Sequence, residues 1–348
     1  MKRGQEKSLR FKLVDGDDQM FTNKTQTIPN APNSIASLEK INIGGVEQWL
    51  LLRGHDQSKP IILWVHGGPG GAQIGFISRY SSELEKDFLV VNYDQRGAGL
   101  SFSKKTPKES MTIDQMVNDL IEIAGKLCAR FHKDKIYILG HSWGTILSYL
   151  AIERRPELFY GYFAVSQVVN MKENERISYE YTLRKAKEIG NEKAYAQLEK
   201  LGSPPWKSLN SDRIHNKWLQ EFGGGLVHTG NFAGTIFKSV MKSPEYRLID
   251  LIKWIRGQIY SMNVFKEELE NLDFFQSSKS IQVPIVICGG RHDFTAPSEL
   301  AEAFFNQLQA PYKKWVWFEQ SAHTLIIEEK DAFVQLVKET VNEWSSTK

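Results

Sequence analysis

A serine flanked by two glycines, Gly140-His141-Ser142-Trp143-Gly144, stands between the apolar run Ile136-Tyr137-Ile138-Leu139 and the helix-like stretch Ile146 to Glu153, which stops before Pro156. A strand that reverses into a helix within so few residues leaves no room for side chains on either side of the turn, which accounts for Gly140 and Gly144, and it makes the hydroxyl project from the sheet edge. A serine hydroxyl attacks a carbonyl only when a base takes its proton, and the base needs a third group to hold it in one tautomer. Two residues qualify, each in a loop that follows an apolar run: Asp293 in Gly289-Gly290-Arg291-His292-Asp293, and His323 in Glu319-Gln320-Ser321-Ala322-His323. Asp273 and Glu319 compete for the acid's place, but only Asp293 directly follows a buried-type strand at the right step in the order Ser, Asp, His. His292, its neighbour, is expected to point away.

Acyl transfer also needs two donors aimed at the developing oxyanion. Trp143 supplies one backbone N–H, and the Gly68 N–H in His66-Gly67-Gly68-Pro69-Gly70-Gly71 is the choice for the other, since such glycines let a loop turn its amides toward a ligand. His66 and His141 lie near the same centre and are expected to brace the glycine loop and the serine turn rather than to move protons. Asp94-Gln95-Arg96-Gly97-Ala98-Gly99-Leu100-Ser101 reads either as a tight turn braced by an Asp94–Arg96 ion pair or as a direct substrate contact. No Cys/His cluster, phosphate-binding Gly-Lys-Ser/Thr loop or dinucleotide fingerprint is present, so the chemistry reads as free of metal and cofactor.

Positioning these residues takes a sheet. Ile61 to Val65 is a continuous apolar run, as a strand covered on both faces requires, Phe88 to Tyr93 reads as a second buried strand, and each ends in one of the glycine-rich loops. Ile113, Met116, Val117, Leu120, Ala124 and Leu127 fall on one helical face behind a capping box of Thr112 and Gln115, and this helix leads into the serine strand. The alternation continues through a strand at Phe159 to Val165 and predicts a mostly parallel, doubly wound sheet. An antiparallel hairpin from Ser37 to Leu52, turning at Gly44-Gly45, is expected at its edge. With runs resuming at Val283 to Cys288 and Lys314 to Phe318, and a closing helix through Phe333, Leu336, Val337 and Val341, eight strands with helices on both faces are expected.

After Asn170 the pattern turns charged and helical, which predicts an inserted helical cap over the serine end of the sheet. Trp206, Trp218 and Trp254 are expected to pack this cap, and Gly223-Gly224-Gly225 to form a flexible loop. The expected divisions are a polar leader over 1–34, core over 35–170, cap over 171–280 and core again over 281–348.

Hydrophobic residues at 41% and charged residues at 24% are ordinary for a globular chain, and 44 basic against 41 acidic side chains leave a net charge of only +3. Such a balance gives no field to attract nucleic acid or an anionic membrane. The two cysteines, Cys128 and Cys288, sit in apolar stretches, which implies a reduced compartment and no disulfide framework. Met1-Lys2-Arg3 is followed by Gly4-Gln5-Glu6-Lys7 where a signal peptide needs an apolar run, and no apolar run approaches a membrane span. A cytoplasmic protein is expected, with its oligomeric state left open.

Together, His66-Gly67-Gly68-Pro69-Gly70, Asp94-Gln95-Arg96-Gly97-x-Gly99-x-Ser101, Gly140-x-Ser142-Trp143-Gly144, Asp293 and His323 resemble the prolyl aminopeptidase (proline iminopeptidase) family of serine peptidases. The resemblance implies the α/β-hydrolase fold with a helical cap, a triad of Ser142, Asp293 and His323 working through an acyl-enzyme, and release of N-terminal residues, often Pro, from small peptides. In that family cap glutamates bind the substrate's α-ammonium, and a buried ammonium without a carboxylate partner is expensive. Glu173, Glu175, Glu180, Glu221 and Glu245 are available, and Glu221, near Trp218 and just before the triple glycine, is the candidate. Two other functions use the same residues: an esterase or amidase for small acyl substrates under a diverged cap, and a ligand receptor that has kept its triad. An epoxide hydrolase or dehalogenase would want Asp where Ser142 stands.

Overall fold

A computed structural model describes residues 23–28, 31–206, 208–277 and 279–346. Its strands are β1 (Ile35–Ile43), β2 (Val46–Gly54), β3 (Ile61–Val65), β4 (Leu89–Asp94), β5 (Ile136–His141), β6 (Phe159–Val165), β7 (Ile285–Gly290) and β8 (Lys313–Phe318). They form one sheet in the order β1-β2-β4-β3-β5-β6-β7-β8. β2 pairs antiparallel with β1 and β4, and all the other pairs are parallel. Every residue of β3, β4 and β5 is buried, as expected of largely apolar strands covered on both faces. At the far edge β8 exposes Lys313 and Lys314, charges that discourage pairing with another strand.

The helices are α1 (Ile74–Ser81), α2 (Ile113–Phe131), α3 (Trp143–Arg154), α4 (Met171–Glu188), α5 (Glu192–Leu201), α6 (Leu209–Glu221), α7 (Phe232–Met241), α8 (Leu248–Glu270), α9 (Phe274–Ser277), α10 (Ser298–Gln307), α11 (Leu325–Glu328) and α12 (Lys330–Ser346). On one face of the sheet Leu63, Val91, Ile138 and Ile287 pack against Val117 and Leu120 of α2, Leu147 of α3 and Phe304 of α10. On the other, Trp64, Val90, Leu139 and Val286 meet Ile77 of α1 and Phe333, Val337 and Trp344 of α12. The start of α2 keeps half of the expected capping box. Thr112 accepts from the Gln115 N–H, but the Gln115 side chain reaches forward to Asp119 at 2.7 Å instead of back to Thr112.

Helices α4 to α9 lie between β6 and β7. Tyr179, Leu198, Trp206 and Trp218 form a small core of their own. Trp254 instead ties α8 to the sheet end, its indole N–H donating to the Ala72 carbonyl at 2.8 Å. The leader expected over 1–34 falls largely on residues 1–22, 29 and 30, outside the described residues. Within 23–28, Asn23 donates to Asp250 at 2.8 Å and Thr25 to Glu245 at 2.7 Å, so this piece of chain is bonded to the segment around the start of α8.

Candidate active site

Parallel strands deliver their C-terminal ends to one edge, and the residues singled out in the sequence follow β3, β4, β5, β7 and β8 at that edge. Ser142 joins β5 to α3 with φ 54° and ψ −123°, a conformation that residues with a Cβ rarely adopt. The turn is held on both sides, by Ser142 N–H to Val165 O at 2.9 Å and Thr145 N–H to Ser142 O at 2.7 Å. A Cβ on Gly144 would sit 2.1 Å from the Val65 carbonyl oxygen, and one on Gly140 would sit 2.7 Å from that of Gly144, so the two flanking glycines are steric requirements. The Ser142 side chain is partly exposed and makes no hydrogen bond among the described residues.

His323 and Asp293 are brought together 30 residues apart in sequence. His323 Nδ1 lies 2.9 Å from Asp293 Oδ2 and 3.2 Å from Oδ1, and each residue is 2% exposed. A carboxylate there can only accept, so Nδ1 carries the proton and Nε2 is left with its lone pair. Asp293 Oδ1 also accepts from the Ala296 N–H at 2.8 Å, which fixes the carboxylate. His292 is turned away, its ring stacked on that of His228. Of the competing acids, Glu319 pairs with Arg291 at the surface and Asp273 accepts from Phe275 N–H.

The glycine loop is fixed from beneath. Gln95 N–H donates to His66 Nε2 at 3.1 Å, so His66 donates from Nδ1 to the Gly67 carbonyl at 2.8 Å. The Gln95 side chain donates to the His66 carbonyl at 2.8 Å and accepts from the Trp143 indole at 2.9 Å, joining the loop to the residue after the serine. His141 is held likewise: Trp64 donates to Gln73, Gln73 faces His141 Nδ1, and His141 Nε2 donates to the His323 carbonyl at 3.1 Å. Burial holds His66 down at about 4 and His141 at about 3, so both are neutral braces. The Gly68 and Trp143 N–H groups donate to no protein acceptor among the described residues, and Gly68 is exposed. Gln95 and Gln73 were not legible as linkers in the sequence. The only signal was the place of Gln95 inside the Asp94-Gln95-Arg96-Gly97 string.

Two expectations are corrected. Arg96 does not pair with Asp94; it reaches α2, with Nε and Nη2 each 2.8 Å from the Asp119 carboxylate, and both residues are buried. Asp94 instead accepts from Leu100 N–H at 2.8 Å and from the Tyr246 hydroxyl at 2.5 Å, while burial pushes its carboxyl up to about 7. The triple glycine is not a loose loop. It is buried, and its carbonyls accept from the loops that carry Asp293 and His323: Gly224 O from Phe294 N–H at 3.0 Å and Gly225 O from His323 N–H at 3.3 Å.

Glu221 ends α6 with its side chain exposed, and it is Gln220 that turns inward to bond Leu226 and Val227. Glu173 and Glu180 pair with Arg176 at the surface, and Glu245 is buried against Thr25 and Ser243. Among the described residues no group of three or more His, Cys, Asp and Glu is placed to hold a metal ion, and no helix is long and apolar enough to cross a membrane.

Residues 56–330 match the family described as serine aminopeptidase, S33. A protein named probable aminopeptidase YbaC from Bacillus subtilis is 38% identical over 304 residues, 86% of this chain and 94% of that protein. A proline iminopeptidase from Clostridioides difficile is 24% identical over 290 residues, 82% of this chain and 90% of its own. In fold, the chain resembles the solved structure of a Mycobacterium smegmatis proline iminopeptidase, with a TM-score of 0.68 at 16% identity, covering 89% of this chain and 99% of that one. The architecture is thus the α/β-hydrolase fold.

Proposed function

From the premise that this chain belongs to the serine aminopeptidase family S33, and is a hydrolase, we propose that Ser142, His323 and Asp293 form its catalytic triad and release the N-terminal residue, Pro among them, from small peptides through an acyl-enzyme. The observation that carries this reading is the buried His323–Asp293 hydrogen bond at 2.9 Å, made between loops on the same sheet edge as Ser142. His323 Nε2 takes the Ser142 proton as Oγ attacks the carbonyl carbon of the first residue. The oxyanion accepts from the Gly68 and Trp143 N–H groups. Collapse breaks the C–N bond, and His323 returns the proton to the leaving amine. Water, deprotonated by the same nitrogen, then cleaves the Ser142 ester.

The substrate's ammonium requires a carboxylate, and we assign Glu221 to it. Its helix runs directly into the Gly224-Gly225 segment that is bonded to the loops of Asp293 and His323. The test is a panel of aminoacyl arylamides, their N-acetylated forms and short p-nitrophenyl esters. Unblocked arylamides, prolyl included, are expected to be turned over well and blocked ones poorly. Glu221→Gln should raise KM for the free amines by one to two orders of magnitude, since a hydrogen bond to a charged group contributes about 1.5–3 kcal/mol. Equal hydrolysis of blocked and unblocked substrates would replace this reading with an esterase or amidase.

A further inference from the structure

We propose that Tyr246 and Trp254, in the helical segment between β6 and β7, are positioning residues for the Gly68 N–H, so that the inserted helices help to build the oxyanion hole. The inference rests on the triad and the pair of donors proposed above. The glycine loop is held at two ends. Upstream, His66 is fixed by Gln95, a residue of the sheet edge. Downstream, the holding groups belong to the insertion: the Trp254 indole donates to the Ala72 carbonyl at 2.8 Å, and α8 presses on Gly70 so closely that a Cβ there would lie 2.8 Å from Ser261 Cβ and 2.9 Å from Gln258 Cα. Gly71 N–H to Gly67 O at 3.1 Å and Ala72 N–H to Gly70 O at 2.9 Å close the turn on either side of Gly68. A shift at Ala72 is therefore carried back to the donor, and a donor acts on an oxyanion only while it is aimed.

Tyr246, 5% exposed, reaches the same end of the loop through Asp94. Its hydroxyl donates to Asp94 Oδ2 at 2.5 Å, while Asp94 Oδ1 accepts at 3.4 Å from the N–H of Ile74, the first residue of α1. Two glycines make room for the ring and its hydroxyl. A Cβ on Gly75 would lie 3.2 Å from the Tyr246 ring, and one on Gly99 would lie 2.4 Å from its oxygen. The residue before it is tied back to the sheet, since Thr25 donates to the Glu245 carboxylate at 2.7 Å and Arg53 of β2 donates to Thr25 at 2.7 Å. Phe would serve packing alone; the hydroxyl adds a bond of fixed direction where the loop leaves for α1.

The test compares wild type, Tyr246→Phe, Trp254→Phe and Ser142→Ala on an unblocked prolyl arylamide and on p-nitrophenyl acetate, with inhibition by the boronic acid analogue of proline, whose tetrahedral adduct on Ser142 offers an oxygen to the same donors. Each of the two Phe variants removes one hydrogen-bonding group and is expected to fold, to lower kcat on the arylamide about tenfold and to leave KM within about twofold, the pattern of an interaction made only in the transition state. The inhibition constant of the boronic acid should rise by the same factor, and kcat/KM on the acetate ester should fall by it, although that ester has no ammonium or side chain for the insertion to hold. Should Tyr246→Phe fail to fold, Trp254→Phe, at a half-buried position, decides by itself. A folded variant with unchanged kcat, a rise confined to KM, or a loss seen on the arylamide and not on the ester would overturn this inference while an inactive Ser142→Ala leaves the triad standing. Wild type inactive on both substrates, or Ser142→Ala as active as wild type, would overturn the triad and this inference with it.

Discussion

A serine at φ 54° and ψ −123° sits in a backbone region that costs on the order of 1–3 kcal/mol for a residue with a Cβ. Ser142→Gly should therefore abolish turnover yet raise stability, by about 1 kcal/mol in a urea titration; a loss of stability would mean that the turn is unstrained. Asp293→Asn should keep the fold and lower kcat by about 10⁴ through the wrong His323 tautomer, and near-wild-type turnover would show that another group orients the base. His66 and His141 give a prediction in pH. Both stay neutral in the fold to about 4 and about 3, against an ordinary value of 6.5, so below 6.5 the unfolded chain binds protons that the folded one refuses. Stability should fall as pH drops from about 6.5 toward 4, by up to about 1.4 kcal/mol per pH unit for each histidine. His66→Asn should remove about one proton's share of that slope, and an unchanged slope would show that His66 is charged in the fold. Ser142, Asp293 and His323 were legible because each ends an apolar run. Gln95 and Gln73 were not, because a glutamine's role exists only once its tertiary neighbours are in place.

The glycine-rich stretches divide by what surrounds them. Gly140 and Gly144 were readable because their constraint is local to a strand-to-helix turn. Gly223 to Gly225 suggested flexibility, yet a Cβ on Gly225 would lie 2.7 Å from Gln220 Oε1 and one on Gly224 2.6 Å from Tyr181 Cε1. These contacts come from α6 and α4, which the local sequence does not name. Gly225→Ala should push its carbonyl away from the His323 N–H and lower kcat about tenfold or more, as displacements near 1 Å in a catalytic group do. Unchanged kcat would free the loop of any positioning role. The Asp94-Gln95-Arg96-Gly97 string was recognisable as a braced turn, but the brace is Asp119 on α2, whose pairing with Arg96 no local pattern announces. Arg96→Ala leaves that carboxylate buried without a counter-ion, met only by the Gln48 and Gln115 side-chain amides, and should cost about 3 kcal/mol. Replacing both, as Arg96→Met with Asp119→Leu, should recover most of it in the same denaturation assay.

At the scale of the molecule, eight strands and their mostly parallel order followed from buried runs alternating with amphipathic helices, because a sheet covered on both faces writes itself as unbroken apolar sequence. The exposed apolar positions of α8 were not legible, since the local sequence does not say whether Leu248, Ile252, Ile255 and Ile259 are covered, and in the fold each of them stays exposed. The same limit applies to Glu221, whose exposure at the end of α6 only the packed helices reveal. Membership of the S33 family fixes the reaction class; which residues carry it rests on the geometry at the C-terminal edge of the sheet. The most direct measurement is intact-mass analysis after fluorophosphonate treatment, with turnover of an unblocked prolyl arylamide followed in parallel, for wild type and Ser142→Ala. Wild type should gain one label and Ser142→Ala none, with kcat lower by about 10⁴ to 10⁶ and the residue of activity left to the oxyanion donors and binding. A label retained by Ser142→Ala, or turnover within a few-fold of wild type, would contradict Ser142 as the nucleophile.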